Sequence, residues 1–154
     1  MEPLQSDLSE FVALFNALGV EFVVVGGYAV AFHGHPRFTG DIDLFVRPTA
    51  ENAALVVEAL DRFGFEGHGV VETDLTDPDH VVQLGNPPNR IDLLTSITGV
   101  SFTEAWESRV PGTLGGNDVY YLGLDALLAN TTASGRDSDA ADVEKLRSRW
   151  KRND

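Results

Sequence analysis

Asp41 and Asp43 stand one residue apart in Gly40-Asp41-Ile42-Asp43-Leu44-Phe45-Val46, downstream of Val23-Val24-Val25-Gly26-Gly27. A β-strand turns successive side chains to opposite faces, so the two carboxylates share one face while Ile42 and Leu44 point the other way into a core. Side-by-side carboxylates repel unless a cation lies between them. Hard oxygen ligands on a rigid element suit Mg²⁺, which takes one or two carboxylates and fills its shell with water and substrate phosphates.

Three further features extend this pattern. Gly26 and Gly27 close a strand and open a helix, where missing side chains let phosphate oxygens approach backbone N–H groups. Asp92, in Arg90-Ile91-Asp92-Leu93-Leu94, offers a third carboxylate from an apolar strand. Three carboxylates suffice for two divalent ions, one activating an attacking oxygen and one stabilising a leaving pyrophosphate. Arg37 and Thr39 are suitable donors to triphosphate oxygens, Arg37 through a forked contact and Thr39 through its hydroxyl. An isolated Asp-x-Asp is common and reads first as a solvated strand end or turn; the Gly-Gly turn and Asp92 at their spacings give it weight.

The elements that must position these residues are legible in outline. Ser6 to Leu18 carries Leu8, Phe11, Val12, Leu14, Phe15 and Leu18 at helical spacing, with Ser6 as N-cap and Gly19 as stop. Glu21 to Val25 reads as a strand, Tyr28 to His33 as a brief helix and Asp41 to Val46 as a second strand. Thr49 caps a helix from Ala50 to Phe63 that Gly64 ends. Phe65 to Val71 reads as a strand and Asp74 to Asp79 as a turn. His80 to Leu84 and Arg90 to Thr95 then form a hairpin that brings Asp92 beside the earlier pair. Helices follow from Phe102 to Arg109 and from Leu124 to Asn130, with a short strand at Val119 to Leu122 between them. Thr131 to Asp137 reads as a loop before a last helix, Ser138 to Trp150. The expected class is α+β (mixed α/β), a small mixed β-sheet flanked by helices.

Composition narrows the chemistry. The 154 residues fit one domain spanning 1–154, with a helical C-terminal segment over about 123–151. With no cysteine, disulfides, thiolate zinc sites and a cysteine nucleophile are excluded. His33, His35, His68 and His80 show no ligand spacing, so zinc is not expected. No Gly-x-Ser-x-Gly elbow supports a serine hydrolase. Eleven basic against 24 acidic residues give a net charge of −13, which repels a polyanion and makes unaided nucleic-acid binding doubtful. The basic run Lys145 to Arg152 reads as cations at a helix C-terminus. No apolar run approaches bilayer length and no export signal opens the chain, so a cytoplasmic protein without a membrane partner is expected.

Taken together, Gly26-Gly27, Asp41-Ile42-Asp43-Leu44 and Asp92 in an apolar strand resemble the polymerase-beta-type nucleotidyltransferase superfamily. Gly26-Gly27-Tyr28-Ala29, His33-Gly34 and Arg37-Phe38-Thr39 are similar to minimal bacterial members related to the toxins of abortive-infection toxin–antitoxin systems. The resemblance implies the nucleotidyltransferase fold, two Mg²⁺ ions (Mn²⁺ substituting), an NTP such as ATP, and nucleotidyl transfer to a protein, an RNA end or a small molecule. It implies metal ligation and catalysis by Asp41, Asp43 and Asp92, and nucleotide contacts from Gly26, Gly27, Arg37, Thr39 and Arg136. Gly135-Arg136-Asp137-Ser138 resembles a segment in which relatives carry lysines at the positions of Thr131 and Ser138. Their loss leaves open a catalytically degenerate nucleotide- or protein-binding module. A cognate protein partner, a homo-oligomer and the acceptor itself stay open as well.

Overall fold

The computed structural model describes residues 6–34, 41–64, 69–85 and 90–134. Six strands form one mixed sheet in the order β3-β4-β2-β1-β6-β5. Here β1 is Phe22–Val25, β2 Ile42–Val46, β3 Val81–Leu84, β4 Ile91–Leu94, β5 Val110–Leu114 and β6 Asn117–Tyr121. Helices α1 (Ser6–Leu18), α2 (Gly26–Phe32), α3 (Ala50–Phe63), α4 (Phe102–Glu107) and α5 (Leu124–Ser134) pack around it.

Strand pairing decides which side chains share a face. β1 runs antiparallel to β2, with Val24 opposite Leu44 and Val25 opposite Asp43. β4 runs parallel to β2, pairing Ile42 with Ile91, Asp43 with Asp92 and Leu44 with Leu93. Paired residues point the same way, so Phe22, Val24, Ile42, Leu44, Val46, Ile91 and Leu93 make one apolar face. All are buried. Phe15 of α1 meets Phe22 of that face at 5.4 Å, and Phe11 meets Phe63 of α3 edge-on at 5.3 Å. The opposite face carries Asp43, Phe45 and Asp92, and α4 covers its apolar part by setting Phe102 against Phe45 at 5.0 Å. Tucked beside α4, Arg47 lies 4.6 Å over Phe102, and Arg109 lies 3.9 Å over Trp106 and 4.5 Å over Tyr120. Trp106 is thus a packing residue.

Most expected elements appear where periodicity and caps place them. The Thr49 side chain accepts from the Asn52 N–H, and Gly64 ends α3 in a left-handed conformation. Three readings are corrected. Val110–Leu114 is a strand that Pro111 and Gly112 disguise; it is an edge strand, where a missing N–H costs no ladder bond. Gly115 and Gly116, at φ 58° and 84°, form the two-residue turn that closes its hairpin with β6. Both positions need positive φ, which glycine adopts without strain. Second, Gly69 to Val71 is not strand, and a 3₁₀ turn, Glu72–Leu75, stands where a plain turn is expected. Third, α5 continues through Thr131 to Ser134, because the Thr131 hydroxyl donates to the Leu127 carbonyl at 2.9 Å instead of breaking the helix. The expected helix from Ser138 to Trp150 lies outside the described residues.

Asn52 fastens β1 to β2 beneath the sheet. Its side chain is buried, accepts from the Glu21 N–H at 2.8 Å, and donates to the Glu21 and Arg47 carbonyls at 3.0 Å each. Asn52→Ala strands the Glu21 N–H and the Arg47 carbonyl, and is expected to cost about 2–4 kcal/mol in urea denaturation. A loss below about 1 kcal/mol would show that the bridge contributes little.

Candidate active site

Asp43, the second residue of β2, leaves the sheet on the face opposite the main helical layer, and Asp92 stands beside it in register on β4. Register pairing sets their side chains on one face of the sheet. Asp41, just before β2, joins them through Arg90. The Arg90 Nη2 lies 2.8 Å from Asp41 Oδ2, while Nε and Nη2 donate to Asp92 Oδ1 and Oδ2 at 2.9 and 3.1 Å. The three expected acids therefore meet in one place, with a guanidinium gripping the first and third. The pairing with Asp92, through a hydrogen bond and opposite charge, holds the Arg90 pKa above its ordinary value.

Burial sets the character of Asp43. Desolvation, followed by the negative charges of Asp92 and Asp41, pushes its carboxyl from 3.8 up to about 6, against the opposing pull of Arg90. Asp92 is 8% exposed. Such an environment favours either a shared proton or a bound cation.

Gly26 makes the crowding feasible. It sits at φ +67°, and a Cβ there would collide with the Asp43 carboxylate. A side chain at this position is excluded twice, by backbone conformation and by space. Gly27 follows it in the first turn of α2. Tyr28 is buried in the core and is not available to a nucleotide.

Arg37, Thr39 and Arg136 lie outside the described residues, as do His35 and His68. Thr131 is buried, with its hydroxyl donating to the Leu127 carbonyl of its own helix. His33 donates its Nε2–H to the Leu122 carbonyl at 2.7 Å, a structural tie. Arg90 is a site residue that the motif pattern does not single out, although a residue two before Asp92 on a strand shares its face.

The donor set is chemically apt for a hard divalent ion: carboxylate oxygens on adjacent strands, beside a glycine cradle that a Cβ would fill. As the side chains stand, no group of three or more His, Cys, Asp or Glu among the described residues is disposed to hold a metal. The positive charge among the acids is Arg90.

Comparison with known proteins agrees with this architecture. Among solved structures, the lincosamide antibiotic adenylyltransferase LnuA in its lincomycin-bound form superposes with a TM-score of 0.58 at 14% identity, over 96% of this chain and 99% of that one. TM1012, a nucleotidyltransferase candidate from Thermotoga maritima, gives 0.57 at 17% identity, over 96% and 91%. An antigenic nucleotidyltransferase-like protein from Paracoccidioides brasiliensis gives 0.54 at 19%, over 94% and 78%. The fold is that of the nucleotidyltransferases. No curated protein matches. Residues 4–153 match the family described as "Nucleotidyl transferase of unknown function (DUF2204)", and the chain belongs to that family, which makes it a nucleotidyltransferase by class. No described helix is long and apolar enough to cross a membrane.

Two outcomes follow from the site. Gly26→Ala forces a strained backbone and displaces Asp43, and is expected to lower stability by about 1–3 kcal/mol in thermal or urea unfolding; an unchanged midpoint would mean the cradle is loose. The raised Asp43 pKa means that the folded metal-free protein holds this proton more tightly than the unfolded chain. Stability is therefore lost as pH rises from about 4 to about 6, and levels off above. Asp43→Asn should remove that decline and stabilise the metal-free protein near pH 7, by up to about 3 kcal/mol. Parallel pH profiles for wild type and variant would contradict the assignment.

Proposed function

We propose that this domain, residues 1–154, transfers a nucleoside monophosphate from an NTP to an acceptor in a Mg²⁺-dependent reaction, with Asp41, Asp43 and Asp92 as the metal-holding acids. The observation that carries this reading is the register of Asp43 with Asp92 on parallel neighbouring strands, with Asp41 tied to the same point through Arg90. Family membership supplies the reaction class.

Bound there, divalent ions would supply Lewis-acid stabilisation of the α-phosphoryl charge and of the departing pyrophosphate. The protein does the rest. β2 and β4 hold the carboxylates at fixed separation on a rigid sheet, so their orientation costs no reorganisation during reaction. Asp92, the more enclosed member, is assigned the acceptor-side ion, where it would help a hydroxyl lose its proton. Gly26 keeps a side chain out of the space beside Asp43, and Gly27 is a proposed backbone contact to the nucleotide. Arg37, Thr39 and Arg136 are the proposed contacts to the nucleotide.

Charge bears on the choice of acceptor. At a net −13 the chain repels RNA, which favours a small cationic molecule or a protein side chain. Lincomycin bound to the structurally similar LnuA is consistent with a small-molecule acceptor on this fold. The likeness to toxin halves keeps a cognate protein partner in view as the other candidate.

A second reading is supported by the guanidinium clasping Asp41 and Asp92, and by Thr131 in place of a lysine. In it the domain binds nucleotide or protein without turnover. Radiolabel transfer from each of the four NTPs with Mg²⁺ or Mn²⁺ separates the two. Transfer or pyrophosphate release is expected for the wild type, falling at least about 100-fold in Asp41→Ala/Asp43→Ala. Tight nucleotide binding with no metal-dependent release in the wild type would establish the binding module instead.

A further inference from the structure

Arg90 takes the position that the carboxylate pattern prepares for a metal. Its fork engages both oxygens of Asp92 and reaches Asp41 Oδ2 from the same Nη2, at distances of 2.8 to 3.1 Å. These are the lone pairs that a divalent ion would need. A guanidinium cannot be neutralised by losing its proton, so it leaves this place only by moving. Its side chain is 28% exposed, between an Asp92 side chain at 11% and an Asp41 side chain at 33%, so it links the enclosed acid to the open one and is itself reached by solvent. It is anchored at the first residue before β4, where rotation about its own side-chain bonds releases the carboxylates without disturbing the sheet.

We propose that Arg90 is the built-in counter-cation of the site, and that a divalent ion binds Asp41, Asp43 and Asp92 only by displacing its guanidinium. This rests on the metal-dependent reading above. Arg90 is then a positioning residue with two opposed effects. It holds the acids together while no metal is present, since three carboxylates on one face would otherwise repel. It also weakens metal capture, because each ion that enters must break a bidentate, charge-assisted contact. The freed fork matches phosphate oxygens in geometry, so a triphosphate would give it a replacement partner and metal entry would be coupled to nucleotide arrival.

The test is Mn²⁺ binding without nucleotide, followed by electron paramagnetic resonance of free Mn²⁺, for wild type, Arg90→Ala, Arg90→Lys and Asp43→Asn. Arg90→Ala is expected to bind Mn²⁺ at least about 10-fold more tightly than wild type, within the range of ordinary coupling between sites. Arg90→Lys, which keeps the charge and loses the fork, should fall between them, and Asp43→Asn should lose binding. A merely structural Arg90 would instead weaken binding when removed. In the wild type, the Arg90 Nε–H resonance, identified by its loss in Arg90→Lys, should shift as diamagnetic Mg²⁺ saturates the site. That arm decides the matter if Arg90→Ala does not fold. Wild-type binding that Arg90→Ala leaves equal or weaker, or an Arg90 resonance unmoved at saturating Mg²⁺, overturns the displacement alone. Absence of Mn²⁺ binding in every folded variant overturns the metal-dependent reading and the displacement with it.

Discussion

Like charge on one face of a sheet is the constraint to which the rest of this structure answers. Asp43 and Asp92 are register partners on parallel strands, so the backbone ladder that stabilises β2 and β4 also forces their carboxyl groups together. Asp41 adds a third negative group within reach of the same guanidinium. Left in low dielectric without compensation, such a cluster would strongly oppose folding. Two devices offset it here. Asp43 keeps its proton to higher pH than an ordinary carboxyl, and Arg90 spans the outer pair. A bound divalent ion would replace both at once.

The opposite face of the sheet explains how the cluster is tolerated. Phe22, Val24, Ile42, Leu44, Val46, Ile91 and Leu93 form a continuous apolar surface, and the helices that bury it supply the free energy that holds the strands in register. A one-residue slip of β2 would exchange Ile42 and Leu44 for the aspartates, so apolar burial enforces the alignment of the acids. Asn52, bridging the start of β1 and the end of β2, adds a polar lock to the same alignment. Stability and chemistry are set by the same register.

Much of this was legible in the residues. Alternation in Asp41 to Val46 and Arg90 to Thr95 placed all three acids on one face, and caps at Thr49 and Gly64 marked the bounds of α3. Three features escaped. Val110–Leu114 was hidden because Pro and Gly lower strand propensity, and the ladder partner that overrides them becomes visible only once β6 is in place. Arg90 was passed over because its role arises from convergence between β4 and the residue before β2, which local periodicity does not encode. The extent of α5 depended on a Thr hydroxyl bonding back to its own helix, where composition alone suggested a loop.

Anomalous diffraction at the manganese edge, from crystals soaked with Mn²⁺ and a non-hydrolysable NTP, would reveal whether these acids hold a divalent ion. The expected result is an anomalous peak between the carboxylates of Asp43 and Asp92, with triphosphate oxygens completing its shell and the Arg90 guanidinium withdrawn. Manganese bound elsewhere while the trio stays closed on Arg90, or nucleotide seated without any ion at these acids, would contradict it.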